Sequence, residues 1–149
     1  MTKPSIKLQR VTEDNHLQVV GITTNENQTD FYPSIESSLE LAAKYENAHP
    51  FAILLGEEVC GFLMYGIDET TKLWKIYRLV IDKRYQRQGI GRVVMELALS
   101  ELKNHHGANE VLIVYNEENT SAINLYRSLG FVQFGNEGKR ILAKTILSQ

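Results

Sequence analysis

The chain has 149 residues, one cysteine, and sixteen basic against eighteen acidic residues, for a formal net charge of −2. That length suits a single domain, 1–149, able to bury roughly 70% of the surface its unfolded form would expose, so no disulfide or structural metal is needed. A near-balanced charge excludes a global pull on nucleic acid, and the lack of a long apolar run predicts neither a secretory signal over Met1 to Asn15 nor a membrane span, hence a cytoplasmic protein.

Ser5 to Val11 alternates polar and apolar residues and predicts a strand, after which Thr12-Glu13-Asp14-Asn15 supplies helix-capping types ahead of Leu17, Val19, Val20 and Ile22. Asn25 to Asp30 is a polar loop. Pro33-Ser34 opens a second helix, with Ile35, Leu39, Leu41, Ala42 and Ala43 on its apolar side and Glu36, Glu40, Lys44 and Glu46 toward solvent, ending near Ala48. Phe51 to Leu55, the turn Gly56-Glu57-Glu58 and Val59 to Tyr65 form a hairpin, and Leu73 to Ile81 is a further strand. Cys60 sits within the apolar hairpin and reads as a reduced core residue.

From Gly89 onward Ile90, Val93, Val94 and Leu97 fall within an arc of about 100°, which predicts an amphipathic helix ending near Gly107. Val111 to Tyr115 is a short buried strand. Asn119 to Leu129 is another helix, with Ala122, Tyr126 and Leu129 on one side and Gly130 placed to end it. Phe131 to Phe134 and Lys139 to Leu147 close the chain as an antiparallel pair around Gly135-Asn136-Glu137-Gly138. The order is βααβββαβαββ: an α/β (α+β) domain with a mixed sheet, without repeats or linkers.

Two segments carry chemistry. Gln86-Arg87-Gln88-Gly89-Ile90-Gly91-Arg92 joins a strand to a helix start, where glycines let the backbone come close to a ligand and the first helical N–H groups lack partners inside the helix. Those amides and the helix dipole favour a phosphate, and Lys83, Arg84, Arg87 and Arg92 crowd around the turn. The spacing fits neither a P-loop nor the three-glycine dinucleotide fingerprint, and such a glycine pair often serves only the turn. The second segment, Asn119 to Phe131, is explained as a capped amphipathic helix, on which a tyrosine is usually a core residue.

In this order, about 30 residues apart, the two segments resemble the signatures of the GNAT superfamily of N-acetyltransferases: Gln86-x-x-Gly89-x-Gly91, and Asn119-x-x-Ala122-x-x-x-Tyr126-x-x-x-Gly130-Phe131. The resemblance covers nearly the whole chain. It implies a mostly antiparallel sheet of about seven strands splayed at its centre and flanked by four helices. It implies acetyl-CoA as cosubstrate, with Leu79, Val80 and Ile81 pairing with the pantetheine arm through their main chain and the backbone of Arg87, Gln88, Gly89, Ile90, Gly91 and Arg92 holding the diphosphate. Asn119 matches the position that contacts the pantetheine end, and Tyr126 matches the general acid. Both monomers and homodimers occur in the resembling family.

Such an enzyme moves an acetyl group to a primary amine by direct attack in a ternary complex. A lysine-like amine has a pKa of about 10.4 and must lose a proton before attack, while the departing thiolate needs one. The region around Tyr32-Pro33-Ser34-Ile35-Glu36-Ser37 and the strand phrase Ile81 to Gln86 look like the bacterial polyamine (spermine/spermidine) acetyltransferase branch. A polycation would be met by carboxylates, of which Glu36, Glu40, Glu13 and Asp30 are candidates, although charges on a helix are more often its solvated face. Enzymes of that branch often carry an acid nine positions before the diphosphate signature, where this chain has Tyr77. Tyrosine, with an ordinary pKa near 10, is a poor base, so Glu36 is the candidate base or amine-binding residue, with Tyr32 and Tyr77 as candidate acceptor contacts. The alternatives are an acetyltransferase acting on a protein amino terminus, a lysine or another small molecule, and a non-catalytic acyl-CoA-binding or sensing domain.

The four histidines have no ligand spacing: His105 and His106 point about 100° apart on one helix, and His16 and His49 stand alone, so no metal is expected. The basic cluster lacks the interleaved aromatics of a single-strand nucleic-acid platform.

Overall fold

The computed structural model describes residues 5–22 and 34–147, and Tyr32, Pro33 and the expected loop from Asn25 to Asp30 lie outside them. The elements are β1 (Ile6–Arg10), α1 (His16–Val20), α2 (Ile35–Lys44), β2 (Ala48–Leu55), β3 (Glu58–Ile67), β4 (Trp74–Ile81), a single 3-10 turn (Lys83–Tyr85), α3 (Ile90–His106), β5 (Glu110–Asn116), α4 (Thr120–Ser128), β6 (Val132–Glu137) and β7 (Arg140–Ile146). All strands join one seven-stranded sheet in the order β1-β2-β3-β4-β5-β7-β6, antiparallel except where β4 runs beside β5.

The central strands are apolar on both faces because helices lie on both. On β3, Phe62 and Met64 point into a cluster with Val19 of α1, Ile35 of α2, Ala52 and Val80, while Leu63 and Tyr65 point the other way, against Ile76, Val94, Met95, Leu102, Val111 and Ile113. The buried line of α3 runs Ile90, Val94, Met95, Ala98 and Leu102, and Gly107 ends the helix while the Ala108 N–H returns to the Leu102 carbonyl at 2.9 Å.

Three boundaries differ from the sequence reading. The second helix stops at Lys44, where Tyr45 turns extended, and Ala48-His49-Pro50 begin β2. Pro50 follows the last β1–β2 pair, Arg10–Phe51, and although it has no N–H to give, its carbonyl still accepts the Val11 N–H at 3.2 Å. The closing hairpin turns at Gly138-Lys139, with Gly138 at φ 60°, so Gly135, Asn136 and Glu137 continue β6. Asn15, read as a helix cap, instead uses its amide to reach the Gln9 side chain and the Arg10 carbonyl, each at 3.0 Å, tying α1 to the end of β1.

Candidate active site

β4 and β5 pair only over Trp74–Val111, Lys75–Leu112 and Ile76–Ile113. Beyond those pairs the two strands part. On the other side of β4, Tyr65 pairs with Ile76 and Met64 with Arg78, so Tyr77 is an extra residue, a bulge at the point where the splay begins. From there to its end β4 is bonded to β3 on one side and faces a cavity of about 770 Å³ on the other.

Leu79, Val80 and Ile81 form one wall of that cavity, and α3 supplies its end. Asp82, buried, accepts the Arg84 N–H at 3.0 Å and its own N–H reaches the Cys60 carbonyl at 2.8 Å, which starts the 3-10 turn. Gln86 then folds its amide back onto the Ile81 carbonyl at 2.9 Å. The chain enters α3 through Gly89, which sits at φ 80° without any side-chain cap on the helix. The leading amides of α3 are therefore left for a ligand, and Gly89, Ile90, Gly91 and Arg92 all border the cavity. A Cβ added at Gly91 would meet only the Leu125 side chain at 3.6 Å, whereas any side chain at Gly89 would be strained by its φ. This donor set fits the diphosphate of coenzyme A.

The opposite wall is α4. Asn119 caps it, its side-chain oxygen accepting the Ala122 N–H at 3.2 Å, and about two turns after the cap Tyr126 is buried against Tyr115 and Phe131, with ring centroids 5.2 and 6.0 Å away. Asn119, Ala122 and Tyr126 all face the cavity. The far end is closed by α1 and α2, through Val20, Ile22, Ile35 and Glu36. Ser34 caps α2 by accepting the Ser37 N–H at 3.0 Å, which places Glu36 in the first turn.

The sequence-based candidates divide as follows. Leu79, Val80, Ile81, Gln86 and Arg87 come together with Gly89 to Arg92, with Asn119 and Tyr126, and with Glu36 around one cavity. Gln88 does not border it. Tyr77 does not either: its hydroxyl donates to the Ile67 carbonyl at 3.2 Å, and its ring packs toward a second cavity of about 660 Å³ near the β3–β4 loop, with Lys75 over it at 4.9 Å. Burial pushes the Tyr77 hydroxyl above its ordinary pKa, with Asp68 and Glu69 adding to the shift, so it is an even poorer base than its residue type suggests. Tyr32 lies outside the described residues. Of the other carboxylate candidates, Glu13 and Glu40 are exposed and border no part of the cavity, and Asp30 falls in the undescribed stretch.

Arg78 was missed. It is buried, lines the same cavity as Glu36, and donates to the Ser38 hydroxyl of α2 at 3.4 Å. Its signal was a lone arginine in an otherwise buried central strand, Trp74-Lys75-Ile76-Tyr77-Arg78-Leu79-Val80-Ile81. The histidines held another surprise: His49 and His106 approach to 5.4 Å between ring centroids at the opposite end of β4, beside Tyr65 and Trp74. Among the described residues no group of three or more His, Cys, Asp or Glu is arranged around a possible metal, and no helix is long and apolar enough to cross a membrane.

The splayed sheet has close counterparts. Over 93% of this chain and 92% of the other, it superposes with a TM-score of 0.73 and 17% identity on the spermidine N-acetyltransferase of Vibrio cholerae, a structure in complex with CoA and spermine. Residues 19–131 match the model of the acetyltransferase (GNAT) family. The chain belongs to that family and is an acetyl-CoA-dependent N-acetyltransferase. Along 95% of its length it is 28% identical to the spermine/spermidine N(1)-acetyltransferase of Bacillus subtilis, covering 99% of that protein. Over 44% of its length it is 37% identical to the ribosomal protein bS18-alanine N-acetyltransferase of Escherichia coli, covering 40% of that protein.

Proposed function

We propose that the enzyme acetylates the primary amine of a small cationic acceptor, with a polyamine or diamine the first candidate, by direct attack on the thioester in a ternary complex. The observation that carries the reading is the set of groups brought around one cavity: the leading residues of α3, the Leu79 to Ile81 stretch of β4, Tyr126 and Glu36. Bound acetyl-CoA would supply the activated acetyl group. The α3 amides and the backbone of Leu79 to Ile81 hold and align the cosubstrate, and Asn119 holds its pantetheine end.

Glu36 is the only carboxylate among the described residues around the cavity, so it attracts an ammonium group and, directly or through water, takes up the proton an amine must lose. A main-chain N–H of the splayed β4 edge polarises the thioester carbonyl as an oxyanion donor does. Tyr126, on the wall facing that edge, donates its phenolic proton to the departing sulfur. No covalent enzyme intermediate is needed. Cys60 takes no part, since burial pushes its thiol up to about 11.

The Bacillus relative, named for spermine and spermidine, matches nearly the whole chain and supports a polyamine acceptor. The Escherichia relative, named for a ribosomal protein, supports a protein amino terminus as the second reading. Purified protein supplied with acetyl-CoA and an acceptor panel decides between them through release of free CoA thiol. Turnover is expected with spermidine, spermine or a diamine; turnover only with a peptide amino terminus or lysine transfers the assignment to protein acetylation. Turnover with none of the small amines overturns the small-acceptor reading.

A further inference from the structure

Two residues break the local rules of their elements, and they meet each other. Arg78 is a buried guanidinium on a central strand, and Ser38 is a buried hydroxyl on the packed side of α2. Ile35 and Ser38 are the only buried residues of α2, three positions apart and so on one face of the helix. Ile35 belongs to the apolar cluster that holds Val80, while the Ser38 Oγ accepts from the Arg78 Nη1 at 3.4 Å. A guanidinium can only donate, so the Ser38 hydroxyl keeps its own proton for the Ser34 carbonyl, at 3.3 Å. Ser34 is the cap of α2, its Oγ accepting the Ser37 N–H at 3.0 Å. A chain of hydrogen bonds thus runs from β4, one residue past the bulge, to the turn of α2 that carries Glu36.

We propose that Arg78, acting through Ser38, is a positioning residue for the acceptor amine: it fixes the first turn of α2, and Glu36 with it, relative to the open part of β4. The inference rests on the reading of Glu36 as the group that receives the amine. Burial of Ile35 beside Val80 is non-directional and tolerates sliding of the helix, whereas a hydrogen bond from a charged donor has a set direction and length. Direction matters here, because a displacement of about 1 Å between reacting groups costs on the order of 10²-fold in rate. Ser34, Glu36 and Arg78 border the cavity, and Ser38 does not. Any influence of Ser38 on the acceptor therefore passes through its neighbours.

Steady-state kinetics with spermidine or putrescine as acceptor, on wild type, Ser38→Ala, Arg78→Lys, Glu36→Gln and the Ser38→Ala/Glu36→Gln double variant, test the proposal. Alanine suits a helix, and Ser38→Ala should lower kcat/KM for the amine by about tenfold while the calorimetric Kd of acetyl-CoA stays at the wild-type value. Arg78→Lys keeps the charge and a donor toward Ser38, and should lose less. In the Glu36→Gln background Ser38→Ala should cost less than about twofold, because the carboxylate it positions is gone. Additive losses, an unchanged kcat/KM in Ser38→Ala, a matching loss of acetyl-CoA affinity, or a larger loss in Arg78→Lys than in Ser38→Ala would each overturn the proposal and leave the reading of Glu36 standing. If wild type turns over neither amine, or Glu36→Gln keeps full turnover, that reading fails and this proposal falls with it.

Discussion

The two ends of β4 are built from similar residues and do opposite work. At the Trp74 end the strand is bonded on both sides, and the ring of Trp74 lies 4.6 Å from His106 and 6.1 Å from Tyr65, while Ile76 is buried between the sheet and α3. Past the bulge at Tyr77 the strand keeps one partner and turns its free edge to the cavity. Hydrophobicity does not distinguish Ile76 from Val80 or Ile81; the presence or absence of a neighbour strand does. On the proposed function, the closed end carries stability and the open end carries the chemistry.

Substitutions at the two ends should therefore fail in different ways. Ile76→Ala, at the closed end, should cost roughly 2–5 kcal/mol in urea denaturation, because the site is enclosed and cannot collapse onto the missing methylenes. A loss under about 1 kcal/mol would mean that the closed end is not where stability resides. Tyr126→Phe, at the open end, should lower turnover by roughly 10²-fold while leaving the Kd of acetyl-CoA and the melting temperature near wild type. Full turnover in that variant would remove Tyr126 from the chemistry.

The smallest effect concerns His49. Its burial, the Arg10 guanidinium and His106 all hold the imidazole below its ordinary pKa of 6.5. Arg10 donates to His49 Nδ1 at 2.9 Å and can only donate, so the folded state needs that nitrogen unprotonated. As pH falls, the unfolded chain takes up this proton first. Stability is thus fully present above 6.5 and declines as pH drops through that value toward the lower folded one. Thermal melts between pH 8 and 5 should show the decline, and His49→Gln should flatten it. With His49 only half-buried the slope is shallow, and an identical slope in His49→Gln would assign it to other groups.

The element order was legible because each helix and strand carries its own period, and the closing of helices at Gly107 and Gly130 is a local backbone matter. The cavity was legible only through two motifs, because Gln86 to Arg92 and Asn119 to Phe131 are continuous segments whose spacing survives in sequence. Arg78 and Tyr77 were not legible. The bulge changes which of two adjacent side chains reaches which cavity, and a one-residue irregularity in pairing has no periodic signature. The encounter of His49 with His106 was likewise hidden, since it depends on β2 and the end of α3 meeting over the sheet.

By itself the sequence determined the elements, the anion-ready entry into α3 and the capped helix bearing Tyr126, because capping, glycine conformation and hydrophobic period act over a few residues. Only the tertiary structure decided that β4 and β5 separate after Ile76, that Glu36 and Arg78 share the cavity while Tyr77 leaves it, and that Arg84 and Arg92 are engaged by Asp82 and Ser128. Those outcomes depend on strand register and on partners distant in the chain, which no local pattern encodes.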